Sequence, residues 1–81
     1  MDRETIKTGV YQVISKVLGI DTNEVSEDQS FTADLGAESV QSVELMAGFE
    51  EEFEIEMDED EALAVQTVGG AIDFIAQYVN D

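Results

Sequence analysis

The stretch Asp34-Leu35-Gly36-Ala37-Glu38-Ser39-Val40 joins a long polar segment to the most strongly patterned helix of the chain. Turn-forming residues precede it, and hydrophobic residues at helical spacing follow it. We predict that Ser39 lies in the first turn of this helix. Free backbone N–H groups and the positive end of the helix dipole favour a phosphate group there. The stretch therefore indicates an exposed serine to which another group could be attached.

The helix that follows is predicted over residues 39–54. Leu45, Phe49 and Phe53 recur every four residues, which is the spacing of one helix face. We expect Val40 and Val43 to extend this apolar face toward the N-terminus. The default interpretation of these side chains is ordinary core. If such a core can open, the small residues Gly48 and Gly69-Gly70 mark the places where it would do so.

Two further helices are predicted after this one. From residue 50 to residue 61 nine of twelve residues are acidic, and Asp58 is a suitable N-cap for a short helix that ends near Leu63. Thr67 is the predicted N-cap of a last helix, in which hydrophobic residues recur at helical steps. Gly69-Gly70 weakens the start of that helix, and indicates either a soft junction or a tightly packed one.

The N-terminal part of the chain predicts one more helix, over residues 3–18, with Asp2 as N-cap and Gly19 as the stop. Gly9 inside it either permits a close helix crossing or only costs about 1 kcal/mol relative to Ala. Residues 19–38 form a long connection, which we expect to insert single hydrophobic residues into the core. Such a loop would let the two long helices lie apart or roughly parallel. The fold class is all-α: a small four-helix bundle with a long first loop and a short third helix, in one domain over residues 1–81.

Charge restricts the possible partners. Twenty acidic residues face three basic ones, the net charge is -17, and no Lys or Arg follows Lys16. Nucleic acid and anionic membranes repel such a chain, whereas basic patches on other proteins attract it. No apolar run is long enough to span a bilayer, and the N-terminus lacks a signal-peptide pattern. We therefore expect a cytoplasmic protein.

Catalysis and dedicated metal binding are not expected. The chain has no His and no Cys, so it lacks the usual general base near neutral pH, a thiolate nucleophile and a cysteine zinc site. The residues around Ser39 lack the two glycines of a nucleophile elbow. The acidic run lacks the spacing and central Gly of a calcium loop. Ser39 is better interpreted as the substrate of another enzyme than as a catalytic residue.

At this point a family resemblance becomes specific. Three motifs carry the resemblance: Asp34-Leu35-Gly36-Ala37-Glu38-Ser39-Val40, Val43-Glu44-Leu45 and Glu50-Glu51-Glu52-Phe53. With these motifs the chain resembles the acyl carrier proteins, and the likeness extends over nearly the whole chain. The resemblance implies that a phosphopantetheinyl transferase moves the phosphopantetheine arm of coenzyme A onto Ser39. The arm ends in a thiol, which carries acyl groups as thioesters and explains how a chain without Cys could do so.

The resemblance also implies two sets of contact residues. One set would meet basic patches on the transferase and on acyl-loading and acyl-transferring enzymes of fatty-acid, lipid or polyketide-type biosynthesis; it comprises Glu38, Val40, Glu44, Met46 and Glu51. The other set would line an acyl pocket between the helices; it comprises Leu45, Phe49, Val65 and Ala71. The protein is expected to act as a monomer.

The chain departs from the family at its most characteristic position. The usual Asp-Ser-Leu-Asp reads Glu38-Ser39-Val40-Gln41 here, which keeps one charge, loses another and shortens an apolar side chain. These changes favour a specialised carrier with its own partners. Two alternatives stay open: an aminoacyl or peptidyl carrier with the same arm, and an unmodified acidic interaction or inhibitor protein.

Overall fold

The computed structural model describes residues 1–80, in which four α-helices surround one hydrophobic core. They are α1 (Arg3–Leu18), α2 (Ser39–Phe53), α3 (Glu59–Ala64) and α4 (Val68–Val79), and a short 3-10 turn (Thr22–Glu24) lies in the first loop. The predicted small all-α bundle, with its long first loop and short third helix, is confirmed. The largest fully buried side chains are those of Ile6, Ile14, Ile72, Ile75, Val10 and Val68.

The helix ends are fixed by the capping groups that the sequence predicts. Gly19 ends α1 in the left-handed conformation, at φ 71°, and its N–H donates to the Ser15 carbonyl oxygen. Side-chain oxygens accept from backbone N–H groups at three helix starts: Asp2 from Thr5 at 2.8 Å, Asp58 from Glu61 at 3.0 Å and Thr67 from Gly70 at 3.0 Å.

Helices α1 and α2 pack directly against each other at two glycines. A Cβ atom on Gly48 would lie 2.7 Å from Val13 Cγ1, and one on Gly9 would lie 2.6 Å from Phe53 Cζ. An early residue of α1 meets a late residue of α2, so the two helices run antiparallel. The expectation of separated or parallel helices is wrong, because the glycines let these helices approach closely. Gly48 therefore lies at a tight crossing and does not provide a place where the core opens.

The first loop returns along α1 and is fastened to its start. Glu27 accepts hydrogen bonds from Arg3 at 2.8 and 3.1 Å, and the Lys7 ammonium lies 3.5 Å from the same carboxylate. Val25 and Phe31 are buried in the core, as predicted for single hydrophobic residues of this loop. These contacts explain how twenty residues without a long helix stay ordered inside a small bundle.

The loop also joins the start of α4. The Gly69 N–H donates to the Glu27 carbonyl oxygen at 2.8 Å, and a Cβ on Gly69 would lie 3.1 Å from that oxygen. The Phe31 N–H donates to the Gln66 carbonyl oxygen just before α4. The Gly69-Gly70 junction is thus tightly packed, which decides between the two predicted possibilities.

Across residues 1–80, no helix has both the length and the apolar character that crossing a bilayer requires.

Candidate functional site

Ser39 is the first residue of α2, and its side chain is exposed. Gly36, at φ 70°, turns the chain toward the helix. Ala37 is buried, and its N–H donates to the Phe31 carbonyl oxygen at 2.8 Å. The buried alanine anchors the chain two residues before the serine. The serine therefore has a fixed position on the outside of the bundle.

Asp34 shapes this approach through its carboxylate. Asp34 Oδ2 accepts a hydrogen bond from the Ser30 N–H at 2.7 Å, and the Leu35 N–H donates to the Ser30 carbonyl oxygen at 3.0 Å. Leu35 itself is half-buried against the core. The Asp-Leu-Gly sequence thus builds the turn that positions Ser39.

Gln41 fixes the start of α2 from inside the helix. The Glu38 N–H donates to Gln41 Oε1 at 2.9 Å, so the side chain of the third helical residue caps the residue before the helix. The Ser42 N–H donates to the Glu38 carbonyl oxygen at 2.9 Å, the first backbone bond of α2. Gln41, which departs from the resembled family pattern, has a structural role here.

The surroundings of Ser39 suit a phosphate ester and do not suit catalysis. The first amides of a helix have no backbone acceptor within it. In α2 the Glu38 side chain accepts from the Gln41 N–H, which leaves the amides of Ser39 and Val40 to phosphate oxygens. Within residues 1–80 no side chain forms a hydrogen bond to the Ser39 hydroxyl, so no base is in place to activate it. In the same range no three carboxylates approach closely enough to hold a metal ion.

A cavity of about 50 Å³ lies between α2, α3 and α4. Its floor is buried, its walls are half-buried, and Leu63, which is 44% exposed, lies at its mouth. The four predicted pocket residues are all brought together in its lining. The lining comprises Phe31, Ser42, Leu45, Met46, Phe49, Met57, Ala62, Leu63, Val65, Ala71, Phe74 and Ile75.

The residues predicted to contact partners divide into two groups. Glu38, Val40, Glu44 and Glu51 are exposed on α2, and Val40 is the most open of the large hydrophobic residues at 66%. Met46 is half-buried and lines the cavity, so it does not share the exposed side of the helix. The outer surface and the cavity wall are thus formed by different residues of one helix.

Val43 and Leu63 are exposed hydrophobic residues that the sequence interpretation did not assign to this surface. Val43 is 47% exposed, so the expectation that Val40 and Val43 extend the buried face is wrong. The reason is geometric: α1 and the cavity cover the faces that hold Leu45, Gly48 and Phe49, and residues 40, 43, 44 and 47 lie on the remaining arc. Their three- and four-residue spacing from Val40 was the available signal.

All charged residues of α2 and α3 are acidic, because all three basic side chains belong to α1. Arg3 and Lys7 pair with Glu27, and Arg3 also pairs with Asp73. The hydrogen bond from Arg3 lowers the pKa of Glu27. Lys16 lies in a groove with Glu44 and Glu51, so one cation faces the acidic surface of α2.

Comparison with known proteins identifies the family. The family model named phosphopantetheine attachment site matches residues 8–75, which is most of the chain. The chain belongs to the acyl carrier protein family. Acyl carrier proteins from Acidothermus cellulolyticus and Guillardia theta are each 40% identical to it, over 94% and 98% of this chain and 90% and 98% of their own length.

A solved structure agrees with this assignment. A Mycobacterium tuberculosis protein assigned as an acyl carrier protein superposes on 89% of this chain and 96% of its own, with a TM-score of 0.83 and 25% identity. The carrier therefore bears a covalently attached phosphopantetheine and is not itself an enzyme, which confirms both predictions. Membership also implies contact with a phosphopantetheinyl transferase and with acyl-handling enzymes.

Proposed function

We propose that Ser39 is the attachment residue and that this carrier presents acyl thioesters to enzymes of fatty-acid, lipid or polyketide-type biosynthesis. One observation carries the proposal: an exposed serine opens α2, and Ser42, one turn later, lines an otherwise apolar cavity. A group attached to Ser39 starts beside the mouth of that cavity. The prosthetic group supplies the thiol that forms the thioester, since the chain has no Cys.

The attachment chemistry is consistent with the surroundings of Ser39. Transfer forms a bond from Ser39 Oγ to a phosphorus of coenzyme A and breaks the bond from that phosphorus to the nucleotide half. The serine proton passes to a base of the transferase, because no side chain of residues 1–80 is hydrogen-bonded to this hydroxyl. The chain's own contribution is to hold the hydroxyl exposed at a helix start.

The cavity favours acyl cargo over aminoacyl cargo. Eleven of its twelve lining residues are hydrophobic, and no charged residue belongs to the lining. Burial of the ammonium of an aminoacyl group there would cost several kcal/mol, because nothing would pair with it. An acyl chain gains about 0.8 kcal/mol for each CH₂ that it buries. This observation sets the acyl carrier above the aminoacyl alternative.

Partner recognition is assigned to the outer surface of α2. Glu38, Glu44 and Glu51 offer exposed carboxylates, and Val40 offers an apolar contact among them. A partner with basic residues around a shallow apolar depression would match both features. Met46, by contrast, is proposed to contact cargo, because it lines the cavity.

The attachment residue is tested by intact mass. After incubation with coenzyme A and a broad-specificity phosphopantetheinyl transferase, we expect the protein to gain the mass of one phosphopantetheine. Ser39→Ala should gain nothing, whereas Ser26→Ala, at an exposed serine of the first loop, should gain as much as the wild type. Failure of the wild type to gain mass with several transferases would overturn the proposal, and modification of Ser39→Ala would move the site elsewhere.

A further inference from the structure

Ser42 is the single polar residue in the lining of the cavity between α2, α3 and α4. It lies one helical turn after Ser39 and is half-buried, whereas the residues of the floor are almost completely buried. Its hydroxyl is thus near the mouth, where cargo attached through Ser39 would enter. The first part of an acyl chain would meet this hydroxyl, and the remainder would meet hydrocarbon.

Within residues 1–80 the Ser42 hydroxyl has only a weak hydrogen-bond partner. Serine in a helix commonly returns its hydroxyl to the carbonyl oxygen four residues earlier. Here the distance from Ser42 Oγ to that oxygen, on Glu38, is 3.4 Å, well beyond the 2.7–2.8 Å that is most common for O–H···O bonds. The same oxygen already accepts the Ser42 N–H at 2.9 Å. The hydroxyl is therefore free to form a better hydrogen bond with a ligand.

We propose that Ser42 is a specificity-determining residue, and that the cavity prefers an acyl group with a hydroxyl or oxo oxygen close to its thioester over a fully saturated one. This inference rests on the proposed function and names its cargo class. The Ser42 hydroxyl would hydrogen-bond the cargo oxygen while the hydrocarbon end of the chain lies against Leu45 and Phe49.

The physical reason is the cost of leaving polar groups unpaired. A saturated chain that enters past Ser42 would displace water from the hydroxyl and replace it with CH₂ groups, which is unfavourable. An oxygen at that depth restores the hydrogen bond, and the rest of the lining still accepts hydrocarbon. An oxygen farther along the chain would find no partner among the eleven hydrophobic residues. Position as well as presence of the oxygen should therefore matter.

The test compares two cargoes in two proteins. A transferase loads wild type and Ser42→Ala with the acyl arm from hexanoyl-coenzyme A or 3-hydroxyhexanoyl-coenzyme A. The rate of thioester cleavage by neutral hydroxylamine then reports how well each thioester is sheltered, and the two free coenzyme A thioesters correct for intrinsic reactivity. We expect the hydroxylated cargo to be cleaved more slowly in the wild type. Ser42→Ala should reduce this protection about threefold to tenfold, the loss expected for one hydrogen bond.

Matched variants separate a specific contact from a general effect. Ser42→Thr should keep the protection, because it keeps the hydroxyl, and Ser26→Ala should leave it unchanged. Equal changes for both cargoes in Ser42→Ala, or no change for either, would overturn the preference while the proposed carrier function stands. Absence of any loading on Ser39 would overturn both.

Discussion

Gly48 and Gly9 lie where α1 and α2 cross, and each faces a hydrophobic side chain of the other helix. The two sites differ in how easily the neighbour can move. Val13 is buried and β-branched, so its methyl group has few alternative positions. Phe53 is half-buried, and the atoms near Gly9 are at the far end of its ring.

We therefore expect Gly48→Ala to destabilise the protein by about 1 kcal/mol, because overpacking costs about 1–3 kcal/mol and helix propensity returns about 1 kcal/mol. Gly9→Ala should cost less, since the Phe53 ring can rotate outward. Urea unfolding followed by circular dichroism measures both. Ala47→Gly, at the exposed neighbouring position, calibrates the propensity term. A stabilised Gly48→Ala would contradict the close crossing.

Some side-chain roles were predictable at this scale and others were not. Asp2, Asp58 and Thr67 follow local capping rules, which need no knowledge of the rest of the fold. Met46 is different, because α2 carries hydrophobic residues around much of its circumference. Only the packing of other helices decides that Met46 points to a cavity and Val43 to the surface. Whether the exposed residues contact partners stays a prediction.

Helix α3 is the least anchored of the four helices. None of its residues is buried, and side chains of two longer helices form two hydrogen bonds to the segment before it. Glu50 Oε2 of α2 accepts from the Met57 N–H at 2.9 Å, and the Tyr78 hydroxyl of α4 accepts from the Asp58 N–H at 3.0 Å. Because α3 supplies Ala62 and Leu63 to the cavity, we expect these bonds to hold one wall of the cavity in place.

Tyr78→Phe removes one of the two bonds and leaves the ring. The edge-to-face contact with Phe74, with ring centroids 5.1 Å apart, should hold the phenylalanine in the same position. We expect amide exchange in residues 58–64 to accelerate about threefold to tenfold, with little change in global stability. Hydrogen exchange with mass spectrometry measures this, and Tyr11→Phe on α1 is the control. Unchanged exchange in α3 would mean that Tyr78 does not restrain it.

Element boundaries could be predicted because capping and periodicity are local. The order in which helices pack could not, because it depends on contacts between distant parts of the chain. The first loop shows the difference. The burial of Val25 and Phe31 could be predicted from their hydrophobic character. The return of the loop along α1 could not, because it depends on the pairing of Glu27 with Arg3, which no local pattern reveals.

At the scale of the whole molecule, the electrostatic energy is dominated by a net charge of -17. Mutual repulsion of carboxylates opposes the compact state, and dissolved ions screen it. The three bases offset little of it, since they face twenty acidic residues. Composition alone predicts the sign of this effect, whereas the position of each ion pair required the fold.

We expect the thermal midpoint to rise by several degrees as salt increases from about 0.01 M to about 1 M, because the Debye length falls from about 30 Å to about 3 Å. Differential scanning fluorimetry measures the midpoint. Lys16→Glu adds further repulsion beside Glu44 and Glu51 and should make the salt dependence steeper. A midpoint that does not respond to salt would contradict a destabilising role for the charge.

The contribution of the Glu27 ion pair to folding stability should decrease as the pH falls. Because Arg3 lowers the pKa of Glu27 from its ordinary value of 4.5, the stabilisation is complete above that value and is lost as pH falls through the lower folded-state pKa. We therefore expect Glu27→Gln to be less stable than wild type at pH 7 and the difference to vanish in acid. Paired unfolding curves across this range measure it. Glu24→Gln, at an exposed loop carboxylate, is the control.

The close crossing of α1 and α2 should also make this side of the bundle more rigid than the side that holds α3. At both glycines a side chain of the other helix, Val13 or Phe53, leaves no room for one added carbon, so we expect this pair of helices not to move apart or together easily. We expect the volume that cargo requires to come from displacement of α3, which has no buried residue and lines the cavity. The emission of a fluorophore attached at Gln12 on α1 should not change during loading, while the emission of one attached at Leu63 on α3 should change. The carrier would thus swell in a single direction, toward α3.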